Sequence, residues 1–306
     1  MEIILHGTAC NMNEFKRYHP IVNFAYFAFA IVFACLFLHP IMIMISLLCG
    51  FTYSCMLKGV RQIRKNLMYL LPILLLAALI NPAFNHEGVT ILAYLPSGNP
   101  LTLESVCYGF VSGSMVVSVI LFFICFNEIM TSDKFVYLFG RIIPSLSLII
   151  SMTLRFVPRF TEQFRHTANY QKCVGRDVSK GSIILRAKNG LKILSIMVTR
   201  SLENAIDTSD SMKSRGYGLP GRTAFSIYSF TGRDKKALFM MLLLGIYIII
   251  GNLAGQTFFA CFPLIQIADV SAYGLSVFSA YIILLSLPIL IEVSEVIKWK
   301  FIRSET

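Results

Sequence analysis

Charged residues are scarce in this sequence, and long stretches carry no positive charge. Only 14% of the 306 residues are charged, against 56% that are hydrophobic. Three blocks contain no Lys or Arg, namely residues 18–57, 66–133 and 237–297. Because a Lys or Arg costs about 2.5–3.5 kcal/mol at the centre of a membrane helix, such blocks are typical of membrane spans. A soluble domain needs much less apolar sequence, so these blocks predict an integral membrane protein.

Several chemical signatures are also missing. The eight cysteines form no C-x-x-C pair and mostly lie in apolar runs, which predicts neither a disulfide framework nor a metal site. No two of the five histidines have metal-ligand spacing on one helix. The chain has no G-x-x-x-x-G-K-[ST] loop for nucleotide phosphates and no evident carboxylate pair inside a span. We therefore expect no catalytic site, no bound cofactor and no ion pathway of its own.

The apolar blocks predict an all-α membrane protein with about six transmembrane helices. The first block has room for two helices with a turn at His39-Pro40, and the other two blocks divide at polar stretches. The predicted spans are 20–38, 41–57, 66–83, 103–127, 237–257 and 272–295.

The positive charges predict the topology. The 27 Lys and Arg residues divide as 2 in 1–17, 4 in 58–65, 18 in 134–236 and 3 in 298–303. With six spans all four segments lie on one side, and the positive-inside rule makes that side the cytoplasm. The net charge of +11 does not indicate nucleic acid, because the cations cluster at the edges of apolar blocks.

We thus expect a multi-pass protein of the cell membrane with both termini in the cytoplasm. Its predicted organisation is an N-terminal bundle of four spans at 1–133, a cytoplasmic helical domain at 134–236, and two further spans with a short cytoplasmic tail at 237–306.

Glycines recur at helical spacing in two predicted spans. Gly109 and Gly113 lie in the fourth span, and Gly251 and Gly255 in the fifth. Such spacing lets helices approach closely. It serves either packing within the bundle, which we favour, or a face for a partner helix.

The basic segment between the fourth and fifth spans is predicted to be helical. The apolar stretch 144–158 is too short to span and is predicted as an interfacial or re-entrant helix. Further helices are predicted over 159–174 and 182–214, the last followed by Arg215 and Gly216. From the residues alone, two interpretations remain open: a helical platform beneath the bundle, or a basic surface helix held by anionic lipid.

Two motifs in this segment carry a family resemblance. Residues 211–218 read SMKSRGYG, like a signature A-M-x-A-R-G-[YF]-G, and residues 154–158 read LRFVP, like an upstream L-R-F-[IV]-P segment. In this order and topology, the chain resembles the transmembrane T component of energy-coupling factor (ECF) transporters, a cobalt-transporter Q-component-like family. The matching positions are Arg155, Phe156 and Pro158 at the start of the coupling region, and Tyr217, Gly218 and Arg222 in the turn after the second motif.

The resemblance implies two x-R-G motifs, each ending a coupling helix that docks on an ATPase subunit. Ser214, Arg215 and Gly216 match the second motif. At the first, the Arg position is occupied by Val174, and the cation follows Gly175 as Arg176. These six residues are the predicted docking residues.

The implied function is that of an energy-coupling subunit in an ECF-type ABC importer for vitamins or transition-metal ions. The implied partners are two ATP-binding ABC-type ATPase subunits, which would hydrolyse the ATP, and a small substrate-binding membrane subunit in the same lipid bilayer. The alternatives are a self-contained membrane transporter or channel, and a basic membrane-surface adaptor.

Overall fold

A computed structural model describes residues 13–94, 100–140, 144–179, 181–217, 219, 228–268 and 271–304. Over these residues the chain is helical apart from two short hairpins, which confirms the predicted fold class. After a 3₁₀ helix (Glu14–Arg17), the α-helices are α1 (Pro20–Leu36), α2 (Pro40–Phe84), α3 (Leu103–Ile129), α4 (Ser132–Gly140), α5 (Pro144–Cys173), α6 (Ile183–Ser214), α7 (Gly232–Leu253) and α8 (Ala272–Ser304). The antiparallel hairpins pair β1 (Ile91–Tyr94) with β2 (Pro100–Thr102), and β3 (Phe259–Ala260) with β4 (Gln266–Ile267).

Most of the predicted spans correspond to long apolar helices. Five segments of the described chain are long and apolar enough to cross a membrane: Pro40–Gly59, Arg64–Phe84, Leu103–Ile129, Gly232–Leu253 and Ala272–Trp299. The first predicted span is α1, whose 17 residues extend about 25 Å. That length is slightly less than the hydrocarbon thickness of about 30 Å.

The chain divides into two compact units. The membrane unit contains the described residues up to Thr131 and those from Tyr228 onward, and the insert unit contains the described residues between them. The core of the membrane unit is rich in aromatic side chains, including Phe27, Tyr53 and Phe122, all with 0% exposure. Two core tyrosines also bind polar partners: the Tyr26 hydroxyl donates to the Leu285 carbonyl at 2.8 Å, and the Tyr281 and Ser46 hydroxyls lie 2.5 Å apart.

The insert unit has little buried surface of its own. It consists of α4, α5 and α6, and the buried side chains of its two long helices are Thr167 and Ile193 among the described residues. Large apolar side chains such as Phe164 and Leu191 remain exposed. A helix pair with this much uncovered apolar surface is suited to binding other surfaces.

One predicted helix boundary is wrong. We expected the helix before Pro158 to end there, but α5 runs continuously from Pro144 to Cys173 with Pro158 inside. The cationic segment 58–65, which separates the second and third predicted spans, is helical except at Gly59, whose φ of 75° breaks α2 into two parts. A single glycine is sufficient for this change because it adopts positive φ readily. The prediction for α6 was close, since Ser182 is its N-cap and Ser214 its last residue.

Candidate functional site

The C-terminus of α5 is closed by a glycine in the left-handed region. Gly175 has a φ of 80°, and its N–H donates to the Lys172 carbonyl at 3.0 Å. The N–H of Arg176 donates to the Gln171 carbonyl at 2.8 Å. These two bonds define a Schellman motif, which satisfies the last helical carbonyls and turns the chain away from the helix axis.

The C-terminus of α6 has the same geometry. Gly216 has a φ of 78°, and its N–H donates to the Lys213 carbonyl at 2.9 Å. The N–H of Tyr217 donates to the Met212 carbonyl at 3.0 Å. The two predicted docking motifs therefore have the same backbone hydrogen bonds at corresponding positions.

Their side chains are not equivalent. In this alignment Val174 corresponds to Arg215, each the last residue before the glycine, and Arg176 corresponds to Tyr217. Val174 is 69% exposed, and Arg215 is also exposed. The end of α5 thus presents an apolar side chain where the end of α6 presents a guanidinium. The arginine of the first motif, Arg176, follows the glycine, whereas Arg215 precedes it.

A cleft lies between α5 and α6 within the insert unit. It has a volume of about 880 Å³ and brings the two stretches of the predicted coupling region together. Arg155 and Phe156 line it from α5, and Arg215, Gly216 and Tyr217 line it from the end of α6. Pro158, although it belongs to the same upstream motif, does not line the cleft.

The cleft is positively charged. Arg155, Arg159 and Arg215 line it, against the single carboxylate Asp207 among its lining residues. None of these arginines forms an ion pair with any residue that the structure describes. Arg159 was not among the predicted site residues, although its position four residues after Arg155 places both on one face of a helix.

The remaining predicted residues belong to the second motif and the turn after it. Ser214 ends α6, and its hydroxyl donates to the Asp210 carbonyl at 2.9 Å. Gly218 and Arg222 lie outside the described residues. Among the described residues no group of three or more His, Cys, Asp or Glu side chains could hold a metal ion.

The four predicted helix-packing glycines lie in the membrane unit, and three of them pack against a neighbouring helix. A Cβ added to Gly109 or Gly113 would lie 2.7 or 3.1 Å from a backbone oxygen of α2. A Cβ on Gly251 would lie 2.4 Å from Val277 of α8. Gly255 differs, because it follows the end of α7 with a φ of 78° and has nothing within 4 Å of an added Cβ. Its role is to terminate the helix rather than to admit a neighbour.

These features define a multi-pass membrane protein that exposes two glycine-terminated helices from a separate basic unit. A model of the cobalt transport protein family (CbiQ) matches residues 12–226 of the chain. That match covers more than half of the sequence, so the chain belongs to the CbiQ cobalt transport protein family. The predicted resemblance to the ECF T component is confirmed.

Similar proteins carry the name energy-coupling factor transporter transmembrane protein EcfT. The protein from Lactobacillus helveticus (strain DPC 4571) is 38% identical over 109 residues, which is 35% of this chain and 39% of that protein. The one from Streptococcus equi subsp. equi (strain 4047) is 31% identical over 104 residues, 34% of this chain and 39% of that protein. The aligned part of the chain spans about two fifths of the length of these relatives.

Proposed function

We propose that the chain is the energy-coupling membrane subunit of an ECF-type ABC importer. In this proposal two ATP-binding subunits bind the ends of α5 and α6, and a small substrate-binding membrane subunit contacts the bundle. Nucleotide-driven movement of the ATP-binding subunits moves the two helices and thereby reorients the substrate-binding subunit. The cargo, a vitamin or a transition-metal ion, is recognised by that separate subunit.

The observation that carries the proposal is the matched pair of helix ends. Both α5 and α6 end in the same Schellman turn, at Gly175 and Gly216, and both expose the residue before the glycine. Because the chain turns away after each glycine, that residue can enter a groove on another protein. Family membership gives these ends an expected partner, an ATPase subunit.

The chemistry of binding should differ between the two ends. Arg215 is exposed and has no ion pair among the described residues, so its planar guanidinium is available for a bidentate contact with a carboxylate. Val174 offers an apolar contact instead, with Arg176 beside it as the charged group. We therefore propose an ionic contact at the end of α6 and a mainly apolar contact at the end of α5.

The proposal requires that the basic segment 134–236 and both termini lie in the cytoplasm. This arrangement is favoured by the distribution of Lys and Arg, since 18 of the 27 lie in this segment. It leaves the two described hairpins, which follow α2 and α7, on the opposite side of the membrane.

The test is co-purification with the ATP-binding subunits from the native host. Arg215→Glu is expected to weaken their binding by about thirtyfold or more, because breaking a desolvated charge pair costs about 2–5 kcal/mol. Lys192→Glu is the matched control, since it makes the same charge change on α6 away from the helix end.

Unchanged binding after both Arg215→Glu and Arg176→Glu would contradict the proposed docking. Equal loss with Lys192→Glu would indicate a diffuse charge effect instead of a contact at the helix end. Uptake of a substrate by the purified chain without any ATP-binding subunit would favour a self-contained transporter.

A further inference from the structure

Two cysteines from distant parts of the chain flank the same aromatic contact in the membrane unit. Cys107 is in the second turn of α3, and Cys261 directly follows strand β3, in the connection between α7 and α8. The next residue after each cysteine is aromatic, and these two rings, Tyr108 and Phe262, are in contact with centroids 5.4 Å apart. The contact places the start of α3 against the α7–α8 connection.

An electrostatic interaction between the two thiols agrees with this ring contact. The Cys261 thiol lies within electrostatic range of both Cys107 and Glu104. Glu104, Cys107 and Tyr108 are spaced i, i+3 and i+4, so all three lie on one face of α3. That face is directed at the 261–262 stretch.

The α3 side of this pair is held in place by the segment that precedes β1. The Glu104 carboxylate accepts hydrogen bonds from the Thr90 hydroxyl at 2.9 Å and from the Thr90 N–H at 3.2 Å. The Thr102 hydroxyl at the N-cap of α3 donates to the Glu87 carbonyl at 2.8 Å. The opposite side is held by the β3–β4 hairpin, whose Ala268 N–H donates to the Phe258 carbonyl at 3.0 Å.

We propose that Cys107 and Cys261 form a redox-active dithiol that closes to an intramolecular disulfide between α3 and the α7–α8 connection. This inference does not depend on the proposed coupling function. The disulfide would join α3, in the N-terminal part of the membrane unit, to the connection between its two C-terminal helices, α7 and α8. In the proposed topology the site faces away from the cytoplasm, on the side where oxidants maintain disulfides.

The exposure of the two thiols sets the order of the reaction. Cys107 is half-buried and can meet a small disulfide oxidant, whereas Cys261 is only 3% exposed. Burial, with Cys107 and Glu104 adding to it, raises the pKa of the Cys261 thiol. Cys107 is therefore the thiol that reacts first, and Cys261 is the one that resolves the mixed disulfide.

The steps balance as a thiol–disulfide exchange. The Cys107 thiolate attacks one sulfur of an external disulfide, R–S–S–R, forms the mixed disulfide and releases one R–S⁻. The Cys261 thiolate then attacks the Cys107 sulfur, forms the protein disulfide and releases the second R–S⁻. The two protein thiols lose two electrons and two protons, and the external disulfide becomes two thiols.

The test exposes the full chain in membranes to oxidised glutathione and then blocks the remaining thiols with N-ethylmaleimide. Mass analysis of the wild type is expected to show Cys107 and Cys261 unalkylated, no glutathione on either of them, and a peptide pair joined through Cys107 and Cys261. In Cys261→Ser the mixed disulfide cannot be resolved, so glutathione should remain on Cys107. Cys107→Ser should leave Cys261 alkylatable after unfolding.

Cys35→Ser is the control, because Cys35 is exposed in α1 and outside the proposed pair. This variant should close the disulfide as the wild type does. A second readout is the melting temperature, which should rise on oxidation in the wild type and in Cys35→Ser but not in Cys261→Ser. The proposal is overturned if the wild type retains glutathione on Cys107, if both thiols stay alkylatable, or if Cys107 crosslinks two copies of the chain.

Discussion

Glycines in this chain differ in what an added methyl group would contact. A Cβ on Gly109 would lie 2.7 Å from the backbone oxygen of Ala78, whereas one on Gly190 in α6 would have nothing within 4 Å. Gly109→Ala should therefore destabilise the membrane unit by about 1–3 kcal/mol, because α2 and α3 would have to separate. Thermal unfolding followed by circular dichroism in detergent measures the change.

Gly190→Ala is the matched control for this substitution. We expect it to be neutral or stabilising by up to about 1 kcal/mol, because Ala loses less backbone entropy than Gly in a helix. Equal destabilisation by both substitutions would contradict the close approach of α2 and α3 at Gly109.

His39 links the stability of the membrane unit to pH. It lies before α2, where its Nδ1 accepts a hydrogen bond from the Ile41 N–H at 3.3 Å, and burial lowers the pKa of its imidazole. The folded state therefore favours the neutral imidazole. The contribution of His39 to the free energy of unfolding is fully present above the ordinary histidine pKa of about 6.5, and it is lost as the pH falls from there through the lower pKa of the folded state.

Unfolding should thus occur at a lower temperature at about pH 5 than at about pH 7.5, on either side of that ordinary pKa. His39→Asn keeps a side-chain acceptor at the N-cap but cannot titrate, so its melting temperature should depend less on pH. His166→Asn, at an exposed position in α5, is the control and should retain the wild-type dependence. Identical pH profiles for His39→Asn and the wild type would exclude His39 as the source.

Residue spacing identified some of these positions but not their neighbours. The interval between Gly109 and Gly113 indicated a shared helix face, because helical periodicity alone determines which residues lie together. The surface that covers this face belongs to α2, and the ring that contacts Tyr108 is Phe262, in the connection between α7 and α8. Such partners depend on long-range packing, which a local sequence pattern does not contain. We had expected all the cysteines to serve as packing residues.

At the scale of the helix, the two Schellman turns determine the direction of the docking side chains. Gly216 has a φ of 78°, a conformation that costs a residue with a Cβ about 1–2 kcal/mol. Gly216→Ala should fray the end of α6 and weaken ATP-binding-subunit binding by about tenfold, although Arg215 is intact. Binding titration by fluorescence anisotropy or surface plasmon resonance measures this loss.

Gly190→Ala provides the control for this prediction on the same helix. Its added methyl group has open space around it, so the affinity should not change. Wild-type affinity in Gly216→Ala would show that the turn does not position Arg215 for binding.

Helix boundaries were predictable where a local signal exists. Ser182 at the start of α6 and Gly216 beyond its end are capping residues, and the observed helix lies between them. Pro158 was misleading, because proline usually ends a helix by removing one hydrogen bond, yet α5 continues through it. The break at Gly59 was not predicted, because a single glycine next to a charged residue gives no indication of its φ.

At the scale of the whole molecule, the proposal depends on which side of the membrane holds the insert unit. Cys173 is an exposed natural reporter at the end of α5. In a variant that keeps only this cysteine, a membrane-impermeant maleimide should label inside-out vesicles but not intact cells. Permeabilised cells provide the positive control for reactivity. Labelling of Cys173 in intact cells would place the insert unit outside, where no ATPase subunit could reach it.

The most direct test of the account is photo-crosslinking from the two helix ends in native membranes. A photoreactive amino acid is placed at Val174, at Arg215, and at Lys192 as the control. The account predicts that positions 174 and 215 each crosslink to an ATP-binding subunit, while position 192 does so weakly or not at all. Crosslinks from 174 and 215 to lipid alone, or equal yields at all three positions, would contradict it.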